Sequence, residues 1–128
     1  MTSTNKKHTG MKKHTMSNCP VENALKLIGG KWKIPIIHHL SKKKLRFGQI
    51  KKVLNQITQQ MLSKQLKEME VDGLINRKVY SIVPPKVEYS LTDFGKSVLP
   101  ILDSLYSWSV KKNKVISKLV SKNHSDAA

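Results

Sequence analysis

The sequence predicts a mainly α chain with a small β-hairpin, an α+β architecture. Three features carry that prediction. Apolar residues recur at i, i+3, i+4 and i+7 over most of the chain, the spacing shortens to alternation between Leu74 and Leu91, and Pro84-Pro85 interrupts the alternating part. The length of 128 residues fits one small domain. Its expected organisation is a basic flexible arm over 1–18, an ordered domain over 19–110, and a basic helical extension and tail over 111–128.

Order is expected to begin at Cys19-Pro20, because proline suits the first turn of a helix and Val21, Ala24, Leu25 and Ile28 follow on one stripe. Gly29-Gly30 ends that helix. A second is expected from about Lys31 to Leu40, with Trp32, Ile36, Ile37 and Leu40 inward and Pro35 costing one hydrogen bond. Lys42, Lys43 and Lys44 then form a basic connection. A short third helix, about Arg46 to Leu54, buries Phe47, Ile50, Val53 and Leu54. Thr58 is the N-cap of a fourth that ends at Asp72, with Gly73 beyond it as the left-handed cap. Leu74 to Tyr80 and Val87 to Leu91 read as strands, joined by a tip that Pro84 and Pro85 stiffen. Thr92 caps a last helix, bent near Pro100, whose stripe Val98, Ile101, Leu102, Leu105 and Trp108 resumes after Lys112. Its length exceeds what one small core needs, which points to a second copy of the chain as partner.

Charge narrows the partners. The chain has 24 Lys and Arg against 8 Asp and Glu, a formal net charge of +16. Residues 19–110 alone carry 15 bases and 7 acids, so the folded part is basic without its tails. Such an excess implies a polyanion. No run approaches the ~20 apolar residues of a membrane span and no signal-peptide core is present, so a cytoplasmic protein without a membrane partner is expected. The single cysteine excludes a disulfide framework, and the five histidines lack ligand spacing, so neither metal nor cofactor is expected. Nucleophile, zinc-hydrolase and phosphate-loop motifs are absent, which argues against an enzyme. No small-molecule effector is identified.

Three helices followed by a hairpin is the order of a winged helix-turn-helix, here with an extra helix before the trio and a long one after the hairpin. Its reading helix would be the one that Thr58 caps. At ~100° per residue, Leu62, Leu66 and Met69 share one face, while Gln60, Ser63, Lys64 and Lys67 lie within an arc of ~100° opposite them. Gln59 in the first turn also reaches that side. Gln, Ser and Lys are residue types that meet base edges and phosphates. Glu68, Glu70 and Asp72 gather in the other half of the helix, the end that helix-dipole stability alone disfavours for acids. The competing reading of the segment is an ordinary amphipathic helix with a solvated face. The competing reading of the chain is a small RNA-binding or ribosome-associated basic protein. Against it stand 5% aromatic residues, with Trp32, Phe47, Phe94 and Trp108 all expected on buried stripes.

Several segments together resemble the HxlR family of bacterial winged-helix regulators: Cys19-Pro20-Val21-Glu22, Gly29-Gly30-Lys31-Trp32, Arg46-Phe47, Met61-Leu62, Leu66-Lys67-Glu68-Met69-Glu70, Asp72-Gly73-Leu74, Pro84-Pro85-Lys86-Val87-Glu88-Tyr89 and Leu91-Thr92-Asp93-Phe94-Gly95. The resemblance spans about residues 19–110. It implies a homodimer, formed through the first helix with Val21 and Leu25 and through the last with Val98, Ile101, Leu102, Leu105 and Trp108, that binds inverted repeats in double-stranded DNA. It further implies that Thr58 to Lys67 enter the major groove and that Arg46 and its neighbours, with Gln49 and Lys42 to Lys44, meet the DNA backbone. Pro84, Pro85 and Lys86 would form the wing. Pro35 and the Lys-rich tails depart from the family pattern. Family members with a cysteine at the place of Cys19 include sensors of electrophiles and oxidants. A thiol at a helix start also lies at the positive end of the dipole, with Glu22 opposing that field. The alternative for Cys19 is a small residue packed at the interface.

Overall fold

Capping and apolar spacing divide the described residues into ten elements. A computed structural model of the protein describes residues 19–124, so the arm over 1–18 and residues 125–128 lie outside the described residues. The elements are α1 (Pro20–Ile28), α2 (Lys33–Leu40), β1 (Leu45–Arg46), α3 (Phe47–Val53), α4 (Gln59–Val71), β2 (Ile75–Tyr80), β3 (Lys86–Leu91), α5 (Asp93–Lys96), α6 (Leu99–Lys111) and α7 (Asn113–His124). The strands form one antiparallel sheet in the order β1-β3-β2. Its register sets Leu45 against Tyr89, Arg46 against Glu88, Ile75 against Leu91 and Lys78 against Glu88.

The core is aliphatic. Ile36 and Ile37 of α2, Ile50 of α3, Ile57 ahead of α4, Leu62, Leu66 and Met69 within α4, Leu74 after it and Ile75 at the start of β2 are buried in one cluster. Tyr89 and Leu91 close it from the inner face of the sheet. At ~1.5–3 kcal/mol for each large apolar side chain removed from water, this cluster is the main favourable term.

The junction after α4 is tied by backbone chemistry. Gly73 lies at φ 79°, where L side chains are strained. Its N–H donates to Glu70 O at 3.1 Å, and the Leu74 N–H donates to Met69 O at 2.9 Å, the paired bonds of a Schellman turn. Thr92 Oγ1 donates to Gly73 O at 2.5 Å, and the Thr92 N–H donates to Leu74 O at 3.1 Å. A Cβ at Gly95 would collide with the Leu74 carbonyl oxygen, so α5 approaches this turn closely only because residue 95 is glycine.

Several expectations are corrected. α2 begins at Lys33, and its first hydrogen bond is donated by Ile36 to Trp32 O, so Pro35 stands among N–H positions without an intrahelical partner and costs no bond. α3 begins at Phe47, because Leu45 and Arg46 pair with β3 as a two-residue strand. Val53 is exposed while Leu54 and Ile57 take the buried positions. The last helix is three helices. Thr92 caps only α5, Pro100 lies in the first turn of α6 where it needs no N–H and bends nothing, and the chain breaks at Lys112 (φ −106°, ψ 19°) before α7.

Candidate nucleic-acid interface

The rotation of α4 about its own axis is fixed from its buried side. Leu62 and Met69 are fully buried and Leu66 nearly so, which turns Gln59, Gln60, Ser63, Lys64 and Lys67 outward, all exposed. Thr58 Oγ1 accepts the Met61 N–H at 3.1 Å, so that hydroxyl caps the helix at the end where the outward polar residues begin. No acid stands in the first turn of α4. In the other half, Glu68 Oε1 lies 3.1 Å from Lys33 Nζ of α2. Lys33 is the one charged residue buried among those described, so this pair ties the far half of α4 to the start of α2.

The predicted backbone-contacting residues surround the approach to α3. Lys42, Lys43 and Lys44 are exposed between α2 and β1, and Arg46 is exposed at the end of β1. Gln49 is exposed and has a structural task as well: its Oε1 accepts the Arg46 N–H at 2.8 Å and closes the start of α3. Burial, then the neighbouring charges of His38 and Lys42, push the His39 imidazole below its usual pKa, so near neutral pH it adds little to this patch.

The hairpin carries a network that the sequence reading missed. Pro84 and Pro85 are exposed at the tip. Lys86 is half-buried rather than projecting. Its Nζ lies 4.7 Å from the Tyr80 ring centroid and 3.7 Å from Glu88 Oε2. Lys78 Nζ lies 4.9 Å from the same ring, and the Tyr80 hydroxyl donates to Glu88 Oε1 at 2.8 Å. That bond, more than the nearby Lys86, Lys44 and Lys78 charges, lowers the Glu88 pKa against an opposing effect of burial, and it raises that of Tyr80. The signal was available in principle: once the turn is placed, Tyr80 falls opposite Lys86 and Lys78 opposite Glu88.

The predicted interface residues divide. Val21, Leu25, Ile101, Leu105 and Trp108 are exposed, and Leu102 is half-buried. Val98, at 7% exposure, belongs to the core of the single chain and has little surface left for a partner. Phe94 and Trp108, expected on buried faces, are about half exposed, so aromatic burial no longer argues against RNA. Cys19 is buried and N-caps α1. Among the described residues no group of three His, Cys, Asp or Glu could hold a metal ion, and no helix is long and apolar enough to cross a membrane.

Helices α2 to α4 followed by a β2–β3 hairpin define a winged helix-turn-helix of the α+β class. The model of the HxlR-like helix-turn-helix family matches residues 27–117. The HTH-type transcriptional regulator YdeP of Bacillus subtilis (strain 168), itself uncharacterised, is 50% identical over 101 residues, 79% of each chain. A crystal structure of the HTH-type regulator ytcD is 48% identical with a TM-score of 0.73, covering 75% of this chain and 98% of its own. The redox regulator HypR in its reduced form is 44% identical with a TM-score of 0.75, covering 78% and 99%. The chain belongs to the HxlR-like helix-turn-helix family and is a transcriptional regulator of the helix-turn-helix type.

The Lys33–Glu68 pair makes an asymmetric prediction. Glu68→Ala leaves a buried ammonium without its carboxylate and is expected to destabilise the fold by about 1–3 kcal/mol. Lys33→Met fills the same space with an apolar chain and leaves Glu68, whose side chain is 43% exposed, to water, at a cost below about 1 kcal/mol. Urea unfolding of both variants checks this order, and the reverse order contradicts the account.

Proposed function

We propose that this protein acts as a homodimer that binds inverted repeats in double-stranded DNA, with α4 of each copy in a major groove. The observation that carries the reading is the outward face of α4. Gln60, Ser63, Lys64 and Lys67 are presented together, with Gln59 and the capping Thr58 at the carboxylate-free end. A helix-turn-helix meets bases with the N-terminal part of its second helix. Lys42, Lys43, Lys44, Arg46 and Gln49 serve phosphates beside it, and the hairpin with Pro84, Pro85 and Lys86 is the wing.

The second copy covers the exposed apolar side chains of α1 and α6. Val21, Leu25, Ile101, Leu105 and Trp108 are 45–64% exposed in the single chain, a cost that a self-complementary interface removes. Leu102 joins them at the edge, and Val98 supports α6 from within. The competing reading, an RNA-binding basic protein, rests on charge and on the exposed aromatics. The protein family and the α4 face favour duplex DNA. The protein is cytoplasmic in this reading.

Cys19 is proposed as a redox or electrophile sensor, and the support is the likeness to a redox regulator together with its place at the first turn of α1. Because Cys19 is buried, the response requires that turn to open.

Two outcomes follow. Gln60→Ala and Lys64→Ala reduce preference for the operator over mixed DNA, whereas Lys43→Ala weakens all duplexes alike and lowers the salt slope by about one unit. Binding titrations over a salt series read both, and equal loss of preference in all three variants contradicts the assignment of α4. Structured RNA displacing the protein from operator DNA favours the competing reading. For Cys19, diamide accepts two hydrogens as the thiols of two subunits join in a disulfide. Cys19→Ser is expected to keep DNA binding and lose the diamide response, and a variant that still responds excludes this thiol as the sensor.

A further inference from the structure

The outer face of the sheet presents a paradox of charge. Leu45, Tyr89, Ile75 and Leu91 pair on the side of the core, so alternation places Arg46, Glu88 and Lys78 in one row across the opposite side, with Tyr80 and Lys86 as the next pair. A chain with only 8 acids against 24 bases has set one of them, Glu88, in the middle of its wing, where a carboxylate repels phosphates. Both its oxygens are engaged, Oε1 by the Tyr80 hydroxyl at 2.8 Å and Oε2 near Lys86 Nζ at 3.7 Å. The Tyr80 ring in turn lies under two ammonium groups, those of Lys78 and Lys86, at 4.9 and 4.7 Å. Lysine is among the most rotamer-rich side chains, so ordering two of them before a ligand arrives removes part of the cost of binding it.

We propose that Glu88 is a positioning residue of the wing, which through Tyr80 and Lys86 holds the Lys78 and Lys86 ammonium groups as a preorganised pair for the DNA backbone. This rests on the duplex-binding reading above. The geometry supplies each link: carboxylate to phenol, ring to both cations, and carboxylate to Lys86. Glu88 is ionised at neutral pH, as the arrangement requires, and the Tyr80 hydroxyl, the first cause of its lowered pKa, favours that form. Arg46 stands directly opposite Glu88 on β1, so the same carboxylate also faces the chain that leads into α3.

The test turns on sign. Removing a carboxylate raises the net charge by one, so bulk electrostatics alone predicts that Glu88→Gln binds DNA more tightly and with a steeper salt dependence. Positioning predicts the opposite. Each phosphate contact contributes a slope of about 0.9 in log K against log salt, so losing one at about 0.1 M salt weakens binding roughly eightfold. The full chain is titrated by fluorescence anisotropy against a labelled mixed-sequence duplex over a salt series. Glu88→Gln is expected to lose about that factor with a flatter slope, and its effect should not add to that of Lys86→Ala. Tyr80→Phe, which changes no charge and keeps the ring, is expected to weaken binding in the same direction, and it carries the test if Glu88→Gln fails to fold. Glu88→Gln binding as well as or more tightly than the wild type, with Tyr80→Phe neutral, overturns the proposal and leaves the duplex-binding reading standing. A wild-type chain that does not bind the duplex overturns both.

Discussion

The structure depends on the burial of one stripe of α4. Leu62, Leu66 and Met69 share a core with Ile36, Ile37, Ile50 and Ile57, and because side chains on a helix are fixed relative to one another, burying these three fixes where every other α4 residue points. The polar face follows from the apolar one. The Thr58 cap and the Schellman turn at Gly73 set the two ends, and the Lys33–Glu68 pair adds a tie to α2. The stripe supplies most of the energy and the ends supply the register. A substitution that rotated α4 by one residue would turn its outward polar face by ~100°.

Much of this was legible in the sequence. Thr58 and Gly73 are local signals, since an N-cap and a left-handed C′ residue need only their own neighbours, and both appear where the spacing placed them. The same holds for the buried stripe and the exposed face of α4. What was not legible depends on contacts distant in sequence. β1 is two residues long and exists because Leu45 and Arg46 meet Tyr89 and Glu88 more than forty positions away. Periodicity puts Val98 on one apolar stripe with Ile101, Leu102, Leu105 and Trp108, because it records a face without saying what covers it. Its burial is set by the core into which the start of α6 packs. The division of the last helix at Lys112 leaves apolar spacing almost unchanged on either side, so periodicity alone could not resolve α6 from α7.

The same distinction applies to charge. A formal excess of +16 implies a polyanion but says nothing of its geometry. Arrangement adds the information: an acid-free first turn on α4, three exposed lysines before β1, and a hairpin in which Lys78 and Lys86 lie over one aromatic ring that is itself bonded to Glu88. Two of the acids have defined structural partners. Glu68 fixes a helix and Glu88 anchors the hairpin network. The apolar faces of α1 and α6 are left open in the single chain, and in the proposed dimer a second copy would cover them and set two α4 helices at a defined separation.

That separation is the most direct measure of the whole account, because it requires the α4 face, the orientation of the helix and the dimer to be right together. Hydroxyl-radical footprinting of the full-length protein on its operator duplex measures it. Two symmetry-related protected stretches centred about 34–36 Å apart are the predicted result. A single protected stretch, or protection that lacks two-fold symmetry, would contradict it.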